Sequence, residues 1–71
     1  MELSAALKRF RKSLGITQKQ AASAANVAER LYQSYEYGKV VPSAKVLITL
    51  ADYFDVSLDY LVGRSDDPSR H

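Results

Sequence analysis

The first candidates for chemistry in this 71-residue chain are three aspartates at close to helical spacing, Asp52, Asp55 and Asp59. Carboxylates bind a metal ion or transfer protons when they converge in a partly buried site. An exposed helix face and helix ends explain these three better. The chain has no cysteine, and His71 stands alone at the end of the sequence. We therefore predict no metal site, no cofactor and no enzymatic activity.

A different polar set occupies residues 17–38, TQKQAASAANVAERLYQSYEYG. Thr17 is suited to cap a helix, and Gln20 can return a bond to the Thr17 backbone in a capping box. An alanine-rich run then continues the helix. Asn26 follows, and asparagine tolerates the left-handed backbone of a tight turn. The segment therefore predicts a short helix that ends in such a turn.

A second helix is predicted over residues 28–37, with Val27 buried in the turn before it. Tyr32 and Tyr35 share one face of this helix, so they should point inward. Gly38 is suited to close it. A tight pair of helices of this kind fits the DNA major groove, so the segment indicates a function as well as a fold.

Helices are also predicted on both sides of this pair. The first helix ends at Gly15 and has an apolar face. That face consists of Leu3, Leu7, Phe10 and Leu14. After the connector KVVP at 39–42, Ser43 caps a fourth helix. Its apolar stripe consists of Val46, Leu47, Leu50, Ala51 and Phe54. Ser57 caps a short fifth helix, SLDYLV, which Gly63 stops.

The elements predict a compact all-α domain of five helices over residues 1–63, followed by a flexible tail at 64–71. Four tyrosines at helical spacing are expected to be core residues whose hydroxyls reach water. They are Tyr32, Tyr35, Tyr53 and Tyr60. No apolar run is long enough to span a membrane and no signal peptide is evident, so we expect a cytoplasmic protein with no membrane partner.

Charge is distributed unevenly although the net charge is only +2. Residues 1–45 hold eight Lys or Arg and three Glu, a balance of +5, whereas residues 46–71 hold two Arg and five Asp, a balance of −3. The basic part contains the helix pair, as a phosphate-binding surface would require. Ordinary solvated charge explains so modest an asymmetry equally well.

Three motifs together resemble the phage repressor and Cro-like helix-turn-helix proteins, the XRE family. They are LGITQ at 14–18, YEYGKVVP at 35–42 and FDVSLDYLVG at 54–63. The resemblance implies a lambda-repressor-like DNA-binding domain, encoded by a bacterium or phage and associated with the nucleoid. In this family the second helix braces the DNA backbone and the third enters the major groove.

The resemblance also implies three groups of site residues, carried over position by position. The base-reading side chains of the third helix would be Glu29, Arg30, Gln33 and Ser34. Phosphate contacts would come from Gln18 and Lys39, to which we add Lys19 and Tyr37. Arg11 and Glu36 match a structural ion pair that ties the first helix to the third.

The side chains on the outer face of the third helix are each compatible with a plainer role than base reading. Arg30 can donate two bonds to guanine O6 and N7, or it contacts a phosphate or only solvent. Glu29 can accept from cytosine N4, or it only favours the helix dipole. Gln33 can pair with adenine. Leu31 can touch a thymine methyl group or be an ordinary exposed leucine.

Four positions depart from the family pattern. Leu31 is apolar at a position that the pattern leads us to expect to be exposed. Ala28 stands where Ser or Thr usually caps the third helix, and Asn26 replaces the usual turn glycine. Ala21 stands where leucine is common, which leaves core volume for Tyr32 or Tyr35. These departures leave the register of the base contacts open by about one residue and do not change the predicted fold.

A single recognition helix reads few base pairs and a core of this size is marginal, so we predict a homodimer on an inverted-repeat operator in double-stranded DNA. Its contact, weak in solution and completed on DNA, would use part of the connector at Val40 and Val41 and the fifth helix. The fifth-helix residues are Leu58, Tyr60, Leu61 and Val62. The alternative is an antitoxin-like or protein-interaction module that uses the same fold to bind a protein partner.

Overall fold

A computed structural model describes residues 3–61 of the chain, except for the side chain of Asp59. Every regular element in that part is helical, which confirms the all-α class. The helices are α1 (Leu3–Ser13), α2 (Gln18–Ala25), α3 (Glu29–Glu36), α4 (Ala44–Phe54) and α5 (Leu58–Leu61). The first four have at least eight residues, whereas α5 is a single turn of four, so only four full helices are present in residues 3–61. Val62, Gly63 and the predicted tail lie outside the described residues.

Helix α1 buries the inward face that its apolar spacing predicts, with one exception. Leu7 is fully buried, and Leu3 and Phe10 pack against the core. Leu14 was predicted on the same face, but 48% of it is exposed. The helix ends at Ser13 and the chain turns at Gly15, which has a φ of 68°. Leu14 is therefore outside the helical repeat that would have carried it inward.

The predicted capping box at the start of α2 is confirmed. The Gln20 N–H donates to Thr17 Oγ1 at 3.0 Å, and the Thr17 N–H donates to Gln20 Oε1 at 2.8 Å. Asn26 ends the helix in the left-handed region with a φ of 59°. Val27 packs against the core as predicted but is half-buried rather than buried.

Helix α3 starts without a side-chain cap and ends in a well-bonded turn. Ala28 occupies the cap position, where its methyl group cannot accept a hydrogen bond. At the other end Gly38 has a φ of 76°, and the Lys39 N–H donates to the Ser34 carbonyl at 3.0 Å. This is the six-to-one bond of a glycine-ended helix. The abrupt stop leaves the connector free to turn toward α4.

Hydroxyl caps also start the last two helices. Ser43 Oγ accepts from the Val46 N–H at 3.3 Å, and Ser57 Oγ accepts from the Tyr60 N–H at 3.0 Å. Asp55 ends α4 with a φ of 59°, the second non-glycine residue with a left-handed backbone in the part described. These caps confirm where the sequence places the last two helix starts.

The core lies where α1 to α5 meet, with α2 packed against both α3 and α4. Its largest fully buried side chains are Leu7, Tyr32, Leu50 and Leu61. The Phe10 ring lies 5.8 Å from that of Phe54 and 5.6 Å from that of Tyr60, centroid to centroid. These packed rings fix α1 against the C-terminal elements, and α1 also packs against α3.

Candidate nucleic-acid interface

An ion pair joins α1 to α3. Arg11 Nε donates to Glu36 Oε2 at 2.7 Å, and Arg11 Nη2 donates to Glu36 Oε1 at 3.2 Å. The Arg11 side chain is 13% exposed and the Glu36 side chain 1% exposed. Two parallel bonds to a carboxylate out of water make a strong and directional contact. The structure thus brings together the two residues that the family resemblance pairs.

The same guanidinium also holds the loop before α2. Arg11 Nη1 donates to the Ile16 carbonyl at 3.0 Å. Because Ile16 directly precedes the Thr17 cap, this bond fixes the position at which α2 begins. One side chain therefore connects α1, the start of α2 and the end of α3.

Electrostatics in this cluster favour the charged forms of both partners. Burial alone would raise the pKa of Glu36, but the hydrogen bonds from Arg11, the proximity of the Tyr32 hydroxyl, the hydrogen bond from Gln18 and the Arg11 charge hold that pKa below its usual value. The bond to Glu36 raises the pKa of Arg11. The pair is therefore ionised under ordinary conditions, which a buried carboxylate without a partner would not be.

Gln18 is the link between this buried cluster and the surface. Its Nε2 donates to Glu36 Oε1 at 3.1 Å, while the residue remains half-buried at the first position of α2. The first backbone N–H groups of a helix have no partner within it and attract anions. Lys19, the next residue, is exposed. The start of α2 thus combines an oriented amide, helix N–H groups and a positive charge, the groups that hold a phosphate.

The predicted base-reading residues differ in how accessible they are. Glu29 and Arg30 are exposed, whereas Gln33 and Ser34 are half-buried. Ser34 Oγ also donates to the Arg30 carbonyl at 3.1 Å, which occupies its one hydroxyl proton. Ser34 can therefore meet a base edge chiefly as an acceptor. Arg30 retains a full set of donors at the surface.

Exposed side chains continue from α3 into the connector. Tyr37 is 63% exposed at the end of α3, and Lys39 is exposed just beyond Gly38. Both are free to reach a neighbouring polyanion. Leu31 is 39% exposed, in line with the expectation from the family pattern. The predicted surface residues of α3 thus lie outside the core, while Tyr32, Tyr35 and Glu36 are buried.

The predicted dimer residues of α5 that the structure describes differ in how accessible they are. Leu61 is fully buried in the core, so its assignment to a dimer contact was wrong. Its position one turn after Ser57 directs it inward beneath α4 and α1 rather than outward. Leu58 is 38% exposed and Tyr60 is half-buried, so both retain some accessible apolar area. Val62 lies outside the described residues.

Sequence reasoning missed one polar group in the buried cluster. Tyr32 was expected to keep its hydroxyl in water, but the residue is fully buried and its hydroxyl has no hydrogen-bond partner within residues 3–61. Burial and the nearby Glu36 carboxylate raise the pKa of Tyr32 well above its usual value. The available signal was the spacing of Tyr32 and Glu36, one helical turn apart on α3.

Residues 3–61 contain neither a membrane-spanning helix nor a metal-ligand cluster. No helix there is long and apolar enough to cross a membrane. No three His, Cys, Asp or Glu side chains in the same part of the chain are grouped as metal ligands would be.

Comparison with known families identifies the class of protein. A family model described as Helix-turn-helix (HTH_3) matches residues 7–61. This match covers most of the chain, and the protein therefore belongs to this helix-turn-helix family, the XRE family of phage-type repressors.

Curated relatives include three bacterial and phage regulators. The chain is 35% identical over 66 residues to the HTH-type transcriptional regulator ImmR of Bacillus subtilis, covering 93% of this chain and 52% of ImmR. It is 37% identical over 62 residues to the uncharacterised HTH-type transcriptional regulator YobD of the same species, covering 87% and 55%. It is 33% identical over 64 residues to RstR, the cryptic phage CTXphi transcriptional repressor of Vibrio cholerae, covering 90% and 57%. The chain thus spans about half the length of these relatives.

Solved structures share the fold. A transcriptional regulator from Listeria innocua superposes with a TM-score of 0.84 at 35% identity, covering 93% of this chain and 62% of that one. The P22 c2 repressor, solved in complex with a synthetic operator, gives a TM-score of 0.84 at 22% identity, covering 92% of this chain and 98% of that one. The second likeness establishes a common fold.

Proposed function

We propose that this chain is the DNA-binding part of a transcriptional repressor that occupies an operator in double-stranded DNA, with α3 in the major groove. The start of α2, with Gln18 and Lys19, holds one backbone phosphate, and Lys39 and Tyr37 hold others. Glu29, Arg30, Gln33 and Ser34 face the base edges. The protein acts in the cytoplasm, at the nucleoid, and performs no catalysis. ImmR and RstR, which are named as regulators of transcription, support this proposal.

The observation that carries the proposal is the contact of Gln18 with the Arg11–Glu36 pair. It holds the phosphate-binding end of α2 in a fixed position relative to the exposed face of α3. Backbone contacts place a protein on DNA, and base contacts then select the sequence. In the free protein this contact sets the phosphate-binding end of α2 in register with the base-reading face of α3 before DNA is met.

Binding to random-sequence duplex DNA at several salt concentrations tests the proposal. Binding that neutralises phosphates releases counterions, so affinity should fall steeply as salt rises. Lys39→Ala should reduce the slope of log affinity against log salt by about one unit. Lys8→Ala, an exposed lysine on α1, is the matched control and should leave the slope unchanged. An affinity that does not change with salt would instead favour the protein-interaction module.

The chain occupies the operator as a two-fold dimer. The connector exposes 43% of Val40 and 80% of Val41, and α5 exposes 38% of Leu58. Apolar area of this kind favours a second copy of the chain over water. With recognition helices one DNA turn apart, roughly 34 Å, the operator is an inverted repeat with half-site centres about 10 base pairs apart.

Selection of bound sequences from a random duplex pool, followed by sizing of the complex, tests the dimer. Two chains on an inverted repeat are expected, and Val41→Asp should reduce the complex to one weakly bound chain. A single chain on a site without two-fold symmetry would contradict this part of the proposal and leave DNA binding intact.

A further inference from the structure

The Tyr32 hydroxyl is a buried polar group without a partner in the described part of the chain. Tyr32 is fully buried, and its hydroxyl makes no hydrogen bond there. Leaving a buried hydroxyl unpaired costs free energy, and phenylalanine would fill the same space without that cost. Tyrosine at this position therefore makes the free protein less stable than phenylalanine would.

The Glu36 carboxylate is the polar group that most affects this hydroxyl. Tyr32 and Glu36 lie one turn apart on α3, and both are buried. Burial first, and Glu36 second, raise the pKa of Tyr32, so the phenol keeps its proton and remains a donor. Hydrogen-bonding geometry between the two is not reached in the free protein.

Three donors already reach the carboxylate, and two of them share Glu36 Oε1. Glu36 Oε2 accepts from Arg11 Nε, and Glu36 Oε1 accepts from both Arg11 Nη2 and Gln18 Nε2. The Arg11 side chain is held on a second side by the Ile16 carbonyl, so it cannot leave without disturbing the loop. Gln18 is the half-buried donor at the surface and is the one that can turn away.

We infer that Tyr32 is a positioning residue that takes over the place of Gln18 on Glu36 when the Gln18 amide turns to a DNA phosphate. This inference rests on the proposed DNA-binding function. A small rotation of the phenol brings its O–H onto Glu36 Oε1 as the amide departs. The buried carboxylate then keeps its full set of donors, and the transfer of Gln18 costs less.

Tyr32→Phe tests the exchange because it removes the hydroxyl and keeps the ring. Affinity for duplex DNA should fall roughly three- to tenfold, the value of about one hydrogen bond. The urea midpoint of the free protein should stay the same or rise, since the unpaired hydroxyl is gone. A merely structural tyrosine would give the opposite pattern, a lower midpoint with unchanged affinity.

A double-variant comparison with Gln18→Ala tests whether the two side chains act together. In the Gln18→Ala background no amide leaves Glu36 on binding, so adding Tyr32→Phe should cause no further loss of affinity. Tyr35→Phe is the matched control, because it removes a hydroxyl from the other inward tyrosine of α3. It should leave DNA affinity unchanged.

The outcomes separate this inference from the proposed function. If the wild-type protein binds DNA and Tyr32→Phe binds equally well, the exchange does not occur. If Tyr32→Phe loses affinity by the same factor with and without Gln18, the hydroxyl acts by another route and the inference is overturned. If the wild-type protein does not bind duplex DNA at all, the proposed function fails and the exchange fails with it.

Discussion

Gln18 and Glu36 lie eighteen positions apart in the chain, and Gln18 Nε2 donates to Glu36 Oε1 at 3.1 Å. This bond keeps the nitrogen of the Gln18 amide turned toward Glu36. A surface amide is thus oriented by a carboxylate that is itself fixed by Arg11. The geometry of the surface at the start of α2 therefore depends on a buried ion pair.

Gln18→Ala should weaken binding to all duplex DNA alike. The change removes one hydrogen bond to a charged phosphate, at a cost of about 1.5–3 kcal/mol. Base preference should be unchanged, because phosphate contacts carry no sequence information directly. Affinities for a selected operator and for random duplex, measured in parallel, check this. A loss confined to the operator would show that Gln18 reads a base.

Arg30→Ala should weaken the selected operator far more than random DNA. A bidentate contact to guanine is worth about 1–3 kcal/mol of discrimination, and its loss should relax preference at one base pair. Repeating the selection with the variant checks the relaxed position. Equal losses on both kinds of DNA would identify Arg30 as a phosphate contact. The base-reading positions assigned on α3 would then shift by one residue.

Arg11→Ala should destabilise the fold more than it alters base preference. It leaves the buried Glu36 carboxylate without its ionic partner, at a cost of roughly 3–5 kcal/mol in the free energy of unfolding. Urea unfolding monitored by circular dichroism measures this. The control is Lys12→Ala, since Lys12 is the next residue on α1 and is exposed. A midpoint that Arg11→Ala does not lower would contradict the structural role.

The stability conferred by Glu36 should depend on pH. Its folded-state pKa lies below its ordinary value of 4.5, so below that pH the unfolded chain takes up a proton more readily than the folded one. The contribution is complete above 4.5 and is lost as the pH falls through the folded-state pKa. The difference in unfolding free energy between wild type and Glu36→Gln should therefore shrink below pH 4.5. A difference that is constant with pH would contradict this.

Ala28→Ser should stabilise the protein. Ala28 has the extended backbone of a helix cap, with φ −65° and ψ 147°, but no side-chain acceptor. A serine hydroxyl there would satisfy one free N–H of α3 and add about 0.5–2 kcal/mol. Thr17→Ala is the converse control, because it removes such a bond from α2 and should lower stability by a similar amount. Thermal unfolding of both variants checks the pair.

Sequence reasoning located the helix starts because caps are local. Thr17, Ser43 and Ser57 each have a short polar side chain directly before an apolar repeat, and each accepts the expected backbone bond. The turn at Asn26 was equally readable, since few residues adopt a left-handed backbone. These features depend on near neighbours in the chain, so a single sequence reveals them.

Features that depend on distant contacts were harder to predict. Leu61 appeared surplus on a short helix, but its burial is set by how α5 packs against α1 and α4. Leu14 followed the repeat of α1, yet the helix ended one residue before it. The surroundings of the Tyr32 hydroxyl depend on how α3 packs against the rest of the chain, which the spacing on α3 alone does not show. The predicted DNA contacts of Glu29, Arg30 and their neighbours remain predictions.

The triple attachment of Arg11 has a consequence for protein engineering. Residues 17–38 contain both helices of the helix-turn-helix pair and could be transplanted as a unit. The ion-pair partner of their Glu36, however, is Arg11, which lies outside that segment. Grafted alone onto a new scaffold, the segment would bring an uncompensated acid into the graft and lose the anchor at Ile16. A working transplant must therefore begin upstream of Arg11, or the host must supply a guanidinium at the same place.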